Sequence, residues 1–438
     1  MVVILGAGPA GIAAGYVLNK SNIKFQIIEK DTRIGGLCKS FEVGGATFDY
    51  GGHAFFTNME NVNNLLTQDV KFNFYSQQRR AWVHSHDTYL PYPFQANLAY
   101  LPKPVIAECL VGLFEAGQTI THSTQDRTQV SLHDWIHASF GTGIAKHFLE
   151  PYNKKIWTFP LNTIYPFWAS ERIVQPKFNE IIEGAIIKKP FTNFPNNIVR
   201  YSRNGGFEEI FKQFGNSYNI NRFIQKGTII KINPDPTKKI VILEDGRQIQ
   251  FDKIISTLPL NELVNIIDDV PEECIKAAQK LKYFGLNLVN ITVAGSKLTK
   301  KQRVYSADPN IPFHKLVINS NSSPSLRNLE VFGFQAEVSF SNQRSVSTTN
   351  LIEEVYQSLL KLGLITHANK VIDASIVSLP MAYPVYDTEW ATSREVLFDF
   401  LKSHNIFCAG RFGEWLYINS DKAIERGLEA AKSVMAAQ

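Results

Sequence analysis

The residues that most directly indicate chemistry stand at the start of the chain. Gly6-Ala7-Gly8-Pro9-Ala10-Gly11 is a complete G-x-G-x-x-G motif after the apolar run 2–5, and Glu29 ends a second apolar run, 25–28. In a βαβ unit these glycines allow a tight turn and the close approach of a pyrophosphate, which the following helix N-terminus stabilises. An acid at the tip of the second strand accepts hydrogen bonds from ribose hydroxyls. The pattern therefore predicts a bound dinucleotide, the alternative being a glycine-rich turn that binds nothing.

A second glycine-rich segment narrows the type of dinucleotide. Asp31-Thr32-Arg33-Ile34-Gly35-Gly36-Leu37 follows the acid, and Gly51-Gly52-His53 comes after it. This order resembles the signature of the large FAD family that includes amine oxidases, protoporphyrinogen oxidase, carotenoid desaturases and UDP-galactopyranose mutase. The resemblance implies FAD, with backbone running along the flavin and close to its isoalloxazine ring. The cofactor-binding residues that it predicts are Gly6, Gly8, Pro9, Ala10, Gly11, Glu29, Lys30, Arg33, Gly35, Gly36, Leu37, Gly52, His53, Gly410 and Arg411.

Motifs in the rest of the chain point to one group within this family. Pro91-Tyr92-Pro93-Phe94-Gln95 resembles the uridine-binding stretch of the eukaryotic-type UDP-galactopyranose mutases. Pro151-Tyr152-Asn153-Lys154-Lys155-Ile156-Trp157 resembles their substrate-domain signature, and Arg172 matches their substrate arginine. Gly410-Arg411-Phe412-Gly413-Glu414-Trp415-Leu416-Tyr417 is similar to their C-terminal motif. These matches occur in order through nearly the whole chain.

The residue types at the matched positions suit a nucleotide-diphosphate sugar. Aromatic rings offer flat surfaces for a base or sugar, and amides read polar edges. A guanidinium binds a diphosphate in bidentate fashion, whereas an ammonium binds it as a point charge. The resemblance implies Arg172, Lys315 and His53 as catalytic residues. The substrate-binding residues that it implies are Tyr92, Phe94, Gln95, Asn153, Trp157, Arg172, Tyr305, Lys315, Tyr383, Tyr417 and Asn419.

The sequence departs from the family pattern in two places. Lys315 stands where the family has a second diphosphate arginine. The acid-amide run after Tyr417 is shorter here, so either Asn419 or Asp421 could take the part of the family's asparagine. These changes bear on the sugar and the base more than on the type of reaction. Taken singly, the aromatic residues of the set also suit a hydrophobic core, and Arg172 suits a surface ion pair.

The resemblance implies a flavoprotein isomerase, an intramolecular transferase that interconverts the pyranose and furanose forms of a nucleotide sugar. UDP-galactopyranose and UDP-galactofuranose are the pair that it favours, with a role in cell-surface polysaccharide biosynthesis. Reduced FAD would act through N5 as the nucleophile, without net redox change, after priming by NAD(P)H or another reductant. The protein would supply orientation and charge stabilisation rather than a strong acid or base.

Two other functions share parts of this pattern. A flavin oxidoreductase of the amine oxidase, protoporphyrinogen oxidase or desaturase type would carry the same FAD motifs without needing the arginine, lysine and tyrosine set. Rab GDP-dissociation inhibitors resemble the fold and bind partners without a catalytic flavin. The intact Gly6, Gly8, Gly11 and Glu29 argue against that binding class.

The elements that must position these residues follow from hydrophobic periodicity. The predicted strands lie near 72–75, 80–83, 228–232, 240–243, 248–251, 252–259, 286–293, 329–334 and 405–411, with an extended segment at 90–95. The predicted helices lie near 12–18, 104–148 with a polar loop at 123–126, 274–282, 349–362 and 424–434. We therefore expect an α/β fold with a discontinuous Rossmann-like FAD-binding domain (1–60, 198–265 and 396–438). A mainly helical substrate domain (96–190) and a sheet-containing, antiparallel substrate domain (61–95 and 266–395) would complete it.

Composition excludes several classes of protein. The chain has 438 residues, of which 44% are hydrophobic, a net charge of +5 and four cysteines. The modest charge suits a small anionic ligand, and the absence of a basic run argues against a nucleic-acid partner. The cysteines have neither metal-ligand nor disulfide spacing, and no apolar run approaches the ~20 residues of a membrane span. We expect a cytoplasmic protein without a metal whose partner is a nucleotide sugar, and a homo-oligomer stays an open alternative.

Overall fold

The structure, a computed structural model, describes residues 1–120, 130–295 and 298–437. The polar loop predicted at 123–126 lies outside these residues. Within the described ranges, no helix combines the length and the apolar character needed to cross a membrane.

The secondary structure alternates strands and helices along the chain. The strands are β1 (Val2–Leu5), β2 (Phe25–Glu29), β3 (Ser40–Val43), β4 (Ala46–Asp49), β5 (Phe74–Gln78), β6 (Ala81–Ser85), β7 (Thr88–Pro91), β8 (Ile198–Ser202), β9 (Ile224–Lys226), β10 (Ile229–Asn233), β11 (Ile240–Leu243), β12 (Gln248–Gln250), β13 (Lys253–Ser256), β14 (Tyr283–Ala294), β15 (Arg303–Ser306), β16 (Lys315–Val317), β17 (Val331–Phe340), β18 (Val371–Pro384) and β19 (Ile406–Cys408). The helices are α1 (Pro9–Lys20), α2 (Glu60–Asn64), α3 (Lys103–Ile120), α4 (Leu132–Ile144), α5 (Glu150–Trp157), α6 (Ala169–Arg172), α7 (Phe178–Ile186), α8 (Glu209–Ser217), α9 (Leu260–Asn265), α10 (Glu272–Lys280), α11 (Leu351–Lys361), α12 (Trp390–Ser403) and α13 (Ser420–Ala436).

A five-stranded parallel sheet in the order β19-β13-β1-β2-β9 forms the Rossmann-like unit. Its strands come from three stretches of the chain, at 2–29, 224–256 and 406–408. β1 is buried along its whole length, as a parallel strand covered on both faces must be. The helix α1 joins β1 to β2, and α13 packs against α1. This unit confirms the predicted fold class.

A seven-stranded sheet in the order β18-β14-β17-β16-β15-β6-β7 forms the second layer. Its neighbours are antiparallel except for β15 and β6, which pair in parallel. The long β14 is buried on both faces over 284–293, because α11 and the helices from α3 to α7 cover the sheet. Shorter sheets join β3 to β4, β5 to β8, and β10 to β11 and β12.

A mainly helical region from α3 to α7 packs on this sheet. Its apolar residues share one core with Phe284 and Leu286 of β14 and with Tyr305 of β15. The helices α3 and α4 approach closely at Gly141, where φ is +74° and an added Cβ would lie 2.1 Å from the carbonyl oxygen of Gly112. A side chain at that position would therefore push the two helices apart.

Two local expectations differ from the structure. The predicted extended segment at 90–95 ends early, since β7 stops at Pro91 and Phe94–Ala96 form a 3₁₀ turn. Pro91 pairs with Trp82 near the start of β6, so the chain beyond β7 has no strand to pair with and can turn. The segment 198–202 pairs with β5 rather than with the parallel sheet. The domain limits themselves stay predictions.

Candidate functional site

One cavity of about 1770 Å³ connects the parallel sheet with the seven-stranded sheet and the helical region. Gly6, Gly8 and Glu29 line one end of it, and Arg172, Tyr383 and Tyr417 line another part. The glycine-rich turns therefore share one continuous cavity with a set of cations and tyrosines that lies far from them in sequence. This cation–tyrosine set consists of Arg172, Lys315, Tyr383 and Tyr417.

The glycine-rich end has the geometry of a dinucleotide cradle. Gly6 turns the chain after β1 with φ of +95°, and α1 starts at Pro9 with Gly8 as its N-cap. The Glu29 carboxylate accepts hydrogen bonds from the backbone nitrogens of Ala7 at 2.7 Å and Asp31 at 2.9 Å. These bonds fix the acid at the carboxyl ends of β1 and β2, where ligands bind in such sheets.

Three predicted cofactor residues do not line the cavity but support its wall. An added Cβ on Gly11 would lie 2.0 Å from the carbonyl oxygen of Gly6, so Gly11 serves helix–strand packing. The Gly35 nitrogen donates to the Ala7 carbonyl at 2.9 Å. Arg33 donates to the carbonyl oxygen of Ser40 at 2.8 Å and pairs with Glu208. The other predicted cofactor residues line the cavity: Gly6, Gly8, Pro9, Ala10, Glu29, Lys30, Gly36, Leu37, Gly52, His53, Gly410 and Arg411.

His53 lines the cavity, and both its ring and its backbone carbonyl have fixed partners. Its ring stacks on Phe207 at 4.7 Å between centroids, and its carbonyl oxygen accepts a hydrogen bond from Arg303 at 2.7 Å. Burial, then the charges of Arg411, Lys315 and Arg303, lower the pKa of His53 to about 3. Its Nδ1 finds no hydrogen-bond partner in the part of the chain that the structure describes. The imidazole is therefore neutral at pH 7.

Arg172 lies against Tyr417. Its guanidinium carbon is 5.0 Å from the ring centroid, and its Nη2 donates to the Tyr417 carbonyl at 3.2 Å. Its Nε is buried and, among the described residues, has no hydrogen-bond partner. A buried donor of this kind is normally satisfied, so it suits an anionic ligand in the cavity.

Arg411 and Tyr383 extend the same cluster. The Arg411 guanidinium carbon is 4.7 Å from the Tyr383 ring centroid, and Tyr383 packs edge-on against Tyr417 at 5.2 Å. Arg411 donates to the carbonyl oxygens of Ile418 and Ala382. Its hydrogen bonds therefore serve the backbone that carries the tyrosines.

The pKa of Tyr417 is affected by the charges of both Arg172 and Lys315. Burial, and next Tyr383, raise the pKa of Tyr417, whereas Arg172, Arg411 and Lys315 lower it. Both cations thus act on a single hydroxyl, although they are far apart in sequence. This arrangement suits a group with more than one negative charge.

Lys315 is less free to bind an anionic ligand than the sequence suggests, because it already has an ion-pair partner. Its Nζ pairs with Glu337 Oε2 at 2.7 Å, and the Glu337 side chain is only 1% exposed. The other oxygen, Oε1, accepts from the Gly52 nitrogen at 2.7 Å. Burial lowers the pKa of Lys315, but Glu337, Tyr383 and Tyr305 raise it overall. Lys315 therefore carries a charge that a buried carboxylate already balances in part.

Glu337 and Arg79 were missed from the sequence. Glu337 is an acid inside the otherwise buried strand β17, a local signal that could have found it. Arg79 is half-buried, donates to the Tyr305 hydroxyl at 2.6 Å and lies 5.1 Å from the Tyr92 ring centroid. The Arg79-Arg80 pair between two strands was the only local hint of it.

His314 and Tyr152 also line the cavity without having been proposed as site residues. The His314 ring is buried, and neither of its nitrogens has a hydrogen-bond partner within the described ranges. Burial, then Lys315, hold the pKa of His314 well below its usual value. Tyr152 packs edge-on against both Tyr305 and His314.

Most of the predicted substrate residues come together, and one does not. The predicted residues that line the cavity are Tyr92, Gln95, Asn153, Trp157, Arg172, Tyr305, Lys315, Tyr383, Tyr417 and Asn419. Phe94 is fully buried and stacks on Phe148 at 4.8 Å, so it packs in the core behind the wall. The Asn153 amide donates to the Leu149 carbonyl at 2.7 Å and accepts from Trp157 at 3.2 Å, which fixes Trp157.

Comparisons with known proteins concern the fold and the family of the chain. A family described as "NAD(P)-binding Rossmann-like domain" matches residues 4–68. UDP-galactopyranose mutase of Mycoplasma genitalium is 24% identical over 216 residues, which cover 48% of this chain and 50% of that protein. UDP-galactopyranose mutase of Mycoplasma pneumoniae is 27% identical over 169 residues, or 37% of this chain and 42% of that one. The alignments thus span about half the length of these curated relatives or less.

A solved structure extends the similarity over the rest of the chain. A crystal structure of reduced UDP-galactopyranose mutase superposes with a TM-score of 0.93 and 26% sequence identity. The match covers 99% of this chain and 93% of that one. The chain therefore has UDP-galactopyranose mutases as homologues and shares their fold along nearly its whole length.

Proposed function

We propose that this protein is an FAD-dependent mutase that interconverts the pyranose and furanose forms of a nucleotide-diphosphate sugar, with UDP-galactose as the substrate. The observation that carries the proposal is the single cavity in which the dinucleotide cradle meets Arg172, Lys315 and Tyr417. The homology to UDP-galactopyranose mutases supports it.

The cradle suits FAD. The helix α1 begins at the cavity, since its N-cap Gly8 and first residue Pro9 both line it. The free backbone N–H groups at a helix N-terminus suit a pyrophosphate. Glu29, oriented by two backbone donors, has room to accept from ribose hydroxyls. Gly36 has φ of +55°, and an added Cβ there would lie 3.2 Å from the Gly8 Cα. The two glycine-rich turns thus present bare backbone to the cofactor. When bound and reduced, FAD supplies a nucleophilic N5 and needs no net oxidation per turnover.

The cation–tyrosine set binds the diphosphate and stabilises the negative charge that develops as the sugar leaves it. Arg172 carries the larger share, because its Nε has no partner among the described residues while Glu337 balances part of the Lys315 charge. The hydroxyls of Tyr383 and Tyr417 donate to phosphate oxygens. Asn419 lies at the same wall and offers an amide to the sugar or the phosphate.

His53 acts as a neutral group near the cofactor. With its pKa lowered to about 3, it cannot serve as a cationic acid at pH 7. It offers one N–H donor and one acceptor, and Phe207 fixes the plane of the ring. The protein therefore contributes position and electrostatics, and it needs no strong general acid or base at this point.

A panel of UDP-sugars tests the proposal. The purified chain, reduced with dithionite under anaerobic conditions, is incubated with each sugar, and the products are separated by chromatography. UDP-galactose should yield a furanose form only after reduction, and NAD(P)H should replace dithionite if it is the natural primer. Oxygen uptake in proportion to substrate loss by the oxidised enzyme would instead indicate a flavin oxidoreductase.

A further inference from the structure

A second cluster of ligating side chains lies in the helical region. His133 and His137 are four residues apart on α4, and Glu150 begins α5. One ligand atom from each of the three lies within 4.8 Å of the others. All three stand apart from the described residues that line the large cavity.

The distances suit a small metal ion. His137 Nε2 is 2.5 Å and His133 Nε2 is 3.5 Å from the same Glu150 oxygen, Oε1. The ligand atoms of a tetrahedral zinc site lie about 3.4 Å apart, since each bond is about 2.1 Å long. The His133 spacing already matches this value, and His137 needs to open by about 1 Å. Residues four apart on a helix face the same side, which explains why both imidazoles reach one carboxylate.

The groups around the cluster leave His133 Nε2 and Glu150 Oε1 to the cluster itself, in which His137 Nε2 contacts Oε1. His133 Nδ1 lies 2.9 Å from Asp134 Oδ1, and a carboxylate there places the proton on Nδ1. Nε2 then keeps its lone pair, as in the carboxylate–histidine–zinc arrangement. Asp134 is itself held by the Ser131 hydroxyl at 2.7 Å. Lys154 occupies the other Glu150 oxygen, Oε2, at 2.7 Å and so leaves Oε1 to the histidines.

The exposure of the cluster permits entry and exchange of an ion. The side chains of His133, His137 and Glu150 are 43%, 31% and 18% exposed. Water can therefore complete the coordination that three protein ligands leave open.

We propose that His133, His137 and Glu150 form a binding site for Zn²⁺ or a similar divalent transition metal. Two imidazoles and one carboxylate favour such ions over Mg²⁺ or Ca²⁺, which prefer oxygen ligands. A metal there joins α4 to the first turn of α5 across the intervening segment Ala145–Leu149. The helix α5 also carries Asn153 and Trp157, so the metal stiffens one wall of the large cavity. Cysteine spacing alone gives no sign of this site, because its ligands are histidines and a glutamate.

Metal content of the full-length, tag-free, FAD-loaded chain tests the proposal. The protein is treated with EDTA, dialysed against Zn²⁺ and analysed by elemental mass spectrometry and titration calorimetry. We expect one bound Zn²⁺ per chain and a higher melting temperature. Co²⁺ at the site should give visible d–d absorption. His137→Gln and Glu150→Gln should each weaken Zn²⁺ binding by at least about tenfold, and Asp134→Asn by roughly tenfold.

His147→Gln is the matched control. His147 also hydrogen-bonds a glutamate, Glu108, at 2.9 Å in the same helical region. This variant should bind Zn²⁺ like the wild type. His133→Gln guards against misfolding, because His133 is the most exposed of the three ligands, and flavin content and circular dichroism report on the fold. A wild type without saturable Zn²⁺ binding, or folded ligand variants that bind as tightly as the wild type, would overturn the proposal.

Discussion

At the scale of single residues, the two proposed diphosphate cations differ in how well they are paired. Arg172 shares its guanidinium with the Tyr417 ring and carbonyl and keeps a buried Nε unbonded among the described residues. Lys315 is held by Glu337 at 2.7 Å. Arg172 therefore has the main electrostatic role in the proposed mechanism, and the role of Lys315 depends on its partner Glu337.

Replacement of Arg172 tests this assignment. Arg172→Ala should lower both kcat/KM and kcat, because the charge is needed most when the leaving oxygen becomes negative. The fall in kcat/KM should correspond to a loss of transition-state stabilisation of roughly 2–4 kcal/mol. Steady-state kinetics of the reduced enzyme under anaerobic conditions measure the effect. Arg222→Ala, at an exposed position of the Rossmann-like unit, is the control and should leave kcat/KM unchanged. Equal kinetics for both variants would remove Arg172 from the mechanism.

Lys315 requires variants that separate charge from stability. Lys315→Ala should destabilise the protein by about 3–5 kcal/mol, because Glu337 would stay buried without its counter-charge. A double variant, Lys315→Met with Glu337→Met, should recover most of the stability but not the activity. Denaturant unfolding and kinetics of both variants distinguish the two contributions. If the double variant were fully active, Lys315 would have only a structural role.

Lys315→Arg addresses the departure from the family pattern. If the lysine stands in for the family's arginine, activity on UDP-galactose should survive the change. If it instead marks a different substrate, the swap should disturb the native sugar preference. Competition between UDP-sugars measures that preference directly.

The lowered pKa of His53 predicts how the free energy of unfolding depends on pH. Its pKa falls from about 6.5 in the unfolded chain to about 3 in the folded one, so folding favours the neutral ring. The free energy of unfolding should therefore be highest above about pH 6.5 and fall as the pH drops from there toward 3. His53→Gln should reduce the loss measured by urea unfolding between about pH 7.5 and about pH 5. Part of the loss of stability at low pH should remain in the variant, because the pKa of His314 is also lowered. An unchanged pH dependence in His53→Gln would contradict the role given to His53.

At the scale of elements, the close contact between α1 and α13 is a specific requirement of the dinucleotide cradle. An added Cβ on Gly427 would lie 2.1 Å from the carbonyl oxygen of Ala10. Gly427→Ala should therefore cost roughly 1–3 kcal/mol of stability and reduce FAD retention, because α1 must shift. Gly117→Ala is the control, since an added Cβ at this exposed position in α3 meets nothing within 4 Å among the described residues. Flavin absorbance after gel filtration and thermal melts compare the two, and full FAD retention in Gly427→Ala would contradict the account.

Local sequence patterns predicted the elements that carry their own signals. The strand at 240–243 and the βαβ unit around Gly6–Gly11 were correct, because apolar runs and turn residues specify them locally. The pairing of β6 with β15 is a long-range contact without such a signal, and it brings Arg79 near Tyr305. The position of Glu337 opposite Lys315 likewise depends on the long-range pairing of β16 with β17. Phe94 was placed in the site by its motif, whereas the 3₁₀ turn directs it into the core.

At the scale of the whole molecule, the candidate site exists only because distant parts of the chain meet. Its glycine-rich cradle comes from the first strands, Lys315 from the seven-stranded sheet, Arg172 from the helical region and Tyr417 from the segment before α13. A sequence can suggest such a set through ordered motifs. The ion pair of Lys315, and the Arg172 Nε that has no hydrogen-bond partner in the described part of the chain, emerge only from the folded structure. The domain limits and the cytoplasmic location stay predictions.

The ratio of product to reducing equivalents distinguishes a redox-neutral mutase from a flavin oxidoreductase. FAD-loaded enzyme is reduced with a known amount of dithionite under anaerobic conditions and given excess UDP-galactopyranose. The furanose product and the flavin absorbance at about 450 nm are then followed together. A redox-neutral mutase should form many furanose products per chain while the flavin stays reduced and no further reductant is consumed. Product limited to one equivalent per reduced flavin, or reoxidation of the flavin in step with turnover, would contradict it.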